Sequence, residues 1–301
     1  MNSKYSNKYI SLSLKYFSLI LISLSVSAMA LYSQNKSAEI ESIANDINKD
    51  NQIGIISAEI AKKFLDKPYV GGTLDANYRG GKNKETLIYH FDKYDCVTLC
   101  ETSLAMARAI KSGSINQARF ENELTKIRYR NGIITDYASR LHYTSEWIMD
   151  NQARGILKDI TADLGGKKFV NYVFFMTKFA TSYAALNNDN ALIAKILVNE
   201  IRINENRRYY IPKTELANVA NKIQTGDLIA IATNKNGLDY SHIGMAYRTD
   251  DNKLHILHAS SKLKKVIIDD ELINYINSNK TTIGISVLRP LWNNATGENN
   301  K

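Results

Sequence analysis

The spacing of apolar residues changes once along this chain, at Thr225-Gly226-Asp227. Before that point it is helical, as in Ile56, Ile60, Ala61 and Phe64 of the segment Ile55 to Leu65. Leu99, Leu104, Met106, Ala107 and Ile110 continue it in a helix that ends at Ser112-Gly113. After the change come five strand-like runs: Leu228 to Thr233, Ser241 to Arg248, Lys253 to Ser260, Val266 to Ile268 and Gly284 to Arg289. Turn residues separate them, notably Asn236-Gly237 and Thr249-Asp250-Asp251-Asn252. Helices followed by a small antiparallel sheet give the fold class α+β. Thr86 to Phe91 reads as one further short strand. Residues 116 to about 220 read as mostly helical, with Phe120 to Tyr129 and Ala191 to Ile203 as the clearest segments.

Within this frame Cys96 is the residue with the most chemistry. Asp95 caps the helix that follows it, so the thiol stands at the first helical turn. A helix N-terminus carries partial positive charge, which favours a thiolate, and a nearby imidazolium favours it further. The competing reading is a small buried hydrophobe, as most free cysteines are. Two histidines bear on the choice. His242 and His258 are equidistant from position 250, inside the expected turn, and facing residues of a hairpin lie about 5 Å apart. In that register His258 orients His242, and His242 accepts the Cys96 proton, which is the logic of nucleophile, base and orienter. His255 points to the other face; His90 and His142 read as ordinary residues. Cys100 lies four positions from Cys96 on the same helix, where a disulfide would strain the helix and close almost no loop. The aromatic stretch containing His142, Tyr143, Trp147, Tyr172, Phe174, Phe175 and Tyr183 reads first as core. Tyr143 and Trp147, four apart beside Arg140, equally suit a groove for a sugar or peptide.

The chain has 301 residues and a formal charge of +9. Residues 1–30 have the pattern of a signal peptide: Lys4, Lys8 and Lys15, then an apolar run from Phe17 to Met29, then Ala28-Met29-Ala30. The run is short for a span of about 20 residues. No stable membrane anchor is expected after its removal, and the localisation expected is periplasmic or secreted. Losing those three lysines takes the charge to +6, which suits an anionic cell-wall partner and a solvated basic surface alike. No nucleic-acid motif is present. Residues 31–54 form a polar extension or opening helix, and 291–301 a polar tail.

Five motifs occur in an order that resembles the NlpC superfamily of papain-like cell-wall cysteine hydrolases. They are Pro68-Tyr69-Val70-Gly71-Gly72, Asp95-Cys96, Gly226-Asp227-Leu228-Ile229, Ser241-His242-Ile243-Gly244 and Leu257-His258-Ala259-Ser260. Tyr94-Asp95-Cys96-Val97-Thr98-Leu99-Cys100-Glu101 and Tyr143-Thr144-Ser145-Glu146-Trp147 are similar to the branch resembling N-acetylmuramoyl-L-alanine amidases. The resemblance implies a papain-like core over residues 55–290 with a largely helical insertion at about 116–220. It implies Cys96 as nucleophile, His242 as base and His258 as orienting residue. Tyr69 and the Cys96 N–H would hold the oxyanion, and Asp95 would position substrate or simply cap the helix. Arg140, Tyr143 and Trp147 would line the substrate groove. The implied activity is an exported amidase cutting between the lactyl group of N-acetylmuramic acid and L-alanine in muropeptides, with no metal or other cofactor. Val97-Thr98 replaces the superfamily's usual Ser-Gly, which favours the amidase over a γ-D-glutamyl endopeptidase. A catalytically silent wall-binding module is the reading from another class.

Overall fold

A helix buried on all sides organises the molecule. The computed structural model describes residue 34 and residues 36–79 and 84–292. The signal peptide expected at 1–30 lies outside these residues, as does the tail beyond 292. A helix over 36–44 leads into α1 (Ile53–Lys63), then α2 (Cys96–Lys111) and α3 (Gln117–Arg128). In α2 not only Leu99, Leu104 and Met106 but also Thr98, Glu101, Thr102 and Ser103 are buried. Such a helix needs neighbours all round it. Ile56, Ile60 and Ala61 of α1 and Phe120, Leu124 and Ile127 of α3 share its core.

The start of α2 is fixed by a capping box. The Asp95 carboxylate accepts the Thr98 N–H at 2.8 Å, and the Thr98 hydroxyl accepts the Asp95 N–H at 2.8 Å. Thr98 therefore closes the cap that places Cys96.

Among the described residues eight strands make one antiparallel sheet: β1 (Leu157–Asp159), β2 (Lys167–Lys168), β3 (Tyr209–Pro212), β4 (Leu228–Thr233), β5 (Tyr240–Arg248), β6 (Leu254–Ser260), β7 (Lys265–Glu271) and β8 (Thr282–Pro290). Their order is β2-β3-β8-β4-β5-β6-β7, with β1 also paired to β8. Every residue of β4 is buried because both faces are covered. Leu228, Ala230 and Ala232 join the core around α1 and α2. Ile229 and Ile231 join a second core with Leu216, Val219, Leu272 and Ile276.

Two expectations need correcting. Thr86 to Phe91 is not a strand; residues 84–90 have no regular structure. The segment 116–220 is not simply helical. Besides α3 it contains α4 (Thr144–Ala153) and α5 (Asn190–Glu205), but β1, β2 and β3 lie in it too. β1 and β3 bind β8 through Leu157↔Pro290 and Ile211↔Ile285, so the segment is stitched into the sheet edge. Strands of two to four residues carry too little alternation to be read from sequence. The segment also has a core of its own, around Tyr78, Tyr137, Tyr143, Met176, Ile196 and Ile203.

The Gly226-Asp227 motif is a docking point. Gly226 has φ +88°, and a Cβ there would lie 1.9 Å from the Gly54 carbonyl oxygen at the start of α1. Asp227 accepts Nε and Nη2 of Arg289 at 2.9 and 2.7 Å, tying the start of β4 to β8. Gly226→Ala is expected to cost about 2–4 kcal/mol from backbone strain and overpacking together. Urea unfolding would read this as a lower midpoint, and an unchanged midpoint would refute the docking role. Asp95→Ala is expected to lose about 0.5–2 kcal/mol with the cap, and Asp95→Ser to retain most of it. Equal stability of the two variants would show that the cap is not what Asp95 supplies.

Candidate active site

Three segments meet around Cys96. The first is Pro68-Tyr69-Val70, held extended between two strands of chain. Tyr94 donates its N–H to the Pro68 carbonyl at 3.0 Å, Val70 donates to the Tyr94 carbonyl at 2.8 Å, and Tyr69 donates to the Lys264 carbonyl at 2.9 Å. This zipper brings the Tyr69 phenol beside Asp95 and Cys96. Burial, followed by the negative charge that Cys96 and Asp95 can carry, raises the Tyr69 hydroxyl above its ordinary pKa, so it stays a donor.

The second segment is α2. Cys96 is partly exposed, and Cys100 is buried four residues on; both are free thiols. The Cys96 sulfur lies against the backbone N–H groups of Ile243, Val97 and Cys96 itself. Those donors favour the thiolate, but burial and then the Asp95 charge outweigh them and push the thiol up to about 12. The resting thiolate expected from the helix terminus is therefore not what the site favours. Desolvation wins over the dipole.

The third segment is the β5–β6 hairpin. Its observed pairs, from Met245↔Leu257 to Arg248↔Leu254, centre on position 251 and not 250. Thr249 donates to the Lys253 carbonyl at 3.1 Å and Asn252 takes φ 64°, so the loop has three residues, 250–252. The shifted centre moves the pairing by two, an even number, and the histidines keep a common face. His258 stands opposite Gly244, where a Cβ would approach its own Cβ at 3.0 Å. With no side chain there, His258 reaches diagonally to His242. His242 Nε2 and His258 Nδ1 are 2.6 Å apart, with the rings nearly perpendicular at 89°. Burial, then the neighbouring His258, hold the His242 ring neutral, its pKa lowered to about 3. His258 is also lowered by burial, against the pull of Asp269.

Asp269 and Tyr275 were not foreseen. Asp269 Oδ2 lies 3.1 Å from His258 Nε2. β7 runs on to Glu271, and Ile267 pairs with His258, so Asp269 two residues later shares that face. Ending the strand at Ile268 hid this alternation. Tyr275, on α6 (Leu272–Ser278), packs its ring edge-on against His258 at 5.0 Å between centroids.

Two hollows flank β5 here. One, of about 170 Å³, is bordered by Val97, Asp95 and Ile243 and reaches Arg128, Arg140 and Trp147. The other, of about 720 Å³, is bordered by His242, Asp269 and Tyr275 and by Lys262 and Lys280.

The groove expected from Arg140, Tyr143 and Trp147 takes a different form. All three are at least nine-tenths buried and have partners inside the protein. Arg140 Nη2 bonds Asp75 at 2.6 Å and its Nε lies 3.3 Å from Glu85. The Tyr143 hydroxyl donates to Glu200 at 2.7 Å. The Trp147 indole N–H donates to Glu101 at 3.2 Å. Spacing of four cannot say whether a side chain is covered, and Tyr143 is the extended residue before α4, so it joins a different core from Trp147. His142 is half-buried, donating Nε2–H to the Tyr137 carbonyl at 2.7 Å.

Comparison with known proteins agrees with this architecture. No curated protein matches the chain. A Bacteroides uniformis structure named as an N-acetylmuramoyl-L-alanine amidase superposes with a TM-score of 0.75 at 36% identity, covering 80% of this chain and 100% of that one. A Bacteroides fragilis protein provisionally named a xylanase gives 0.70 at 36% identity, covering 76% and 98%. A Legionella pneumophila protein shares the fold, with 0.66 at 24% identity over 88% of this chain and 97% of that one. The family model described as N-acetylmuramoyl-L-alanine amidase-like matches residues 59–285, which is most of the chain, and the chain belongs to that family.

Proposed function

We propose that this protein is an exported, papain-like cysteine amidase that cuts between the lactyl group of N-acetylmuramic acid and L-alanine in peptidoglycan fragments. The observation that carries the reading is the bond between His242 Nε2 and His258 Nδ1, beside a thiol whose sulfur meets the Ile243 N–H. With Nε2 engaged, His242 has Nδ1 left as its base, and the next residue, Ile243, is the one whose N–H meets the sulfur. The family and the name of the Bacteroides uniformis relative supply the substrate class.

The reaction starts from a neutral pair. As the Cys96 sulfur attacks the lactyl carbonyl carbon, its proton passes to His242 Nδ1. The oxyanion is met by the Cys96 N–H and the Tyr69 hydroxyl. Collapse of the adduct breaks the C–N bond, and His242 returns the proton to the leaving amine of L-alanine. A water then attacks the thioester, with His242 as base, releasing the lactyl carboxylate and the thiol. The two hollows on either side of β5 suit an amide with a substituent on each side. In the smaller one Arg128, almost fully buried, has an Nη2 without a hydrogen-bond partner among the described residues. A substrate oxygen would satisfy it.

The xylanase name of the Bacteroides fragilis neighbour does not suit this site. Glycoside hydrolysis uses two facing carboxyl groups. Here Asp95 caps a helix, Asp269 meets His258, Asp75 meets Arg140, and Glu101 meets Arg128.

Mass spectrometry of a defined disaccharide-peptide tests the bond. Free disaccharide plus a stem peptide beginning with L-alanine is expected. L-alanyl-D-glutamate left on the sugar, or equal cleavage of sugar-free peptides, would identify the endopeptidase instead. Cys96→Ala and His242→Ala are each expected to abolish turnover with the fold retained; wild-type activity in either would remove that residue from the mechanism. Binding without turnover in the wild type would identify the silent module.

The neutral pair has a signature in pH. A thiol raised to about 12 is protonated, and a histidine lowered to about 3 is uncharged, across the whole neutral range. Alkylation of Cys96 by iodoacetamide is therefore expected to climb steadily with pH through 9. A plateau already reached between pH 5 and 8 would mean a resting thiolate–imidazolium pair.

A further inference from the structure

We propose that Asp269 is the positioning residue that sets the ring tautomers of His258 and His242, and so leaves the lone pair of His242 on Nδ1, the nitrogen that does not bond His258; the inference rests on the cysteine-amidase reading. For His242 to take a proton at Nδ1, its own proton must sit on Nε2. That proton points at His258 Nδ1, 2.6 Å away, which must then carry a lone pair. His258 is left with its proton on Nε2, and the group facing Nε2 is the Asp269 carboxylate at 3.1 Å. A carboxylate accepts and cannot donate. In the opposite arrangement, the carboxylate would face the lone pair of His258 Nε2, and His242 would turn an N–H toward the sulfur. One anion at the end of the chain excludes that arrangement for both rings.

Nothing else packed here is placed to do the same. Cys96 and Asp95 approach from α2, Tyr69 from the loop beside it, and Tyr275 from α6. The Tyr275 hydroxyl is raised to about 12 by burial, then Asp269 and Cys96, and its contact with His258 is through the ring. His255 comes from the far side and donates Nδ1–H to the Asp269 carbonyl at 2.9 Å, which steadies that residue. Lys262, Lys280 and Asp270 border the larger hollow. Asp269 is itself 23% exposed, and His258 is 1% exposed. The carboxylate therefore keeps water on one side while serving an almost dry imidazole.

The experiment combines two readouts on the full chain. ¹⁵N NMR of the ring nitrogens is expected to show Nε2–H tautomers for both histidines in the wild type and in Cys96→Ala. Asp269→Asn is expected to give mixed tautomers, since an amide can donate or accept. Its kcat should fall about 10- to 100-fold, the usual scale for losing a group that orients a catalytic histidine, with KM little changed. Asp269 favours the protonated rings. Removing its charge should therefore move the acid limb of kcat/KM to lower pH, which a merely structural role would not do. Asp269→Glu should restore the limb in part. An Nδ1–H tautomer of His258 in the wild type would overturn the inference, whether or not Asp269→Asn folds. So would an Asp269→Asn enzyme with normal kcat and an unmoved limb. Correct tautomers in a wild type that cleaves no muropeptide would instead count against the amidase reading.

Discussion

The Glu101 carboxylate is the point at which the helical half of this protein is joined. It lies on α2 five residues past Cys96 and is 1% exposed. Oε2 accepts Arg128 Nε from α3 at 2.7 Å, and Oε1 accepts the Trp147 indole N–H from α4 at 3.2 Å. Burial favours its protonation, and Arg128 opposes that. A buried pair like this adds little net stability, because both ions were desolvated to form it, yet losing one partner costs about 3–5 kcal/mol. What it supplies is placement. Three helices are held at one depth, and the first of them presents Cys96 to β5 at a fixed height. The sheet edge receives the same segment through β1 and β3, so the insertion braces the site from two directions.

Burial governs the electrostatics of the site as well. A helix N-terminus contributes partial charge, and three backbone N–H groups surround the sulfur. Desolvation nevertheless leaves the thiol and the imidazole both uncharged. A neutral pair costs far less to keep dry than an ion pair, and in the proposed mechanism it would gain its charges only as the sulfur attacked. Tyr69 fits this reading, since its raised pKa keeps a proton on its hydroxyl.

Much of this was legible in the sequence, for definable reasons. β4 was readable residue for residue because five apolar side chains and Thr233 run from Gly226-Asp227 to Asn234. α2 was readable because Asp95 announces a cap and Ser112-Gly113 a stop. His242 and His258 could be brought together from parity, and parity survived an error in the turn centre. The turn chemistry hid that error: Thr249-Asp250-Asp251-Asn252 looks like a four-residue turn, and only the positive φ of Asn252 makes a three-residue loop. Arg140, Tyr143 and Trp147 were legible as neighbours in sequence, but not as buried side chains that part between two cores, Tyr143 with Tyr137 and Met176, and Trp147 with Leu99 and Leu104. Their partners Glu85, Glu101 and Glu200 are distant in sequence, and no local pattern announces a carboxylate that will neutralise an arginine or accept an indole. The strands β1 and β3 were illegible because their partner strand, β8, lies more than seventy residues further along the chain, and the two-residue β2 pairs only with β3.

The same reasoning explains why Gly244 belongs to the site although it has no chemistry. Three residues define the geometry of the His242–His258 contact: the two rings and the glycine between them. Direct cross-strand partners would place two imidazoles side by side, with their nitrogens facing the same way. A diagonal pair lets one ring turn its edge to the other, at 89°, so that Nε2 of one meets Nδ1 of the next. That turn needs the space opposite His258 to be empty, and a Cβ at 244 would be within 3.0 Å of both Ile256 and His258. A glycine at that position is thus the packing condition for a polarised chain of two imidazoles. The Ser241-His242-Ile243-Gly244 motif therefore supplies three separate things in consecutive residues: a ring that is the base of the proposed mechanism, an N–H that meets the sulfur, and a vacancy that lets the second ring reach the first.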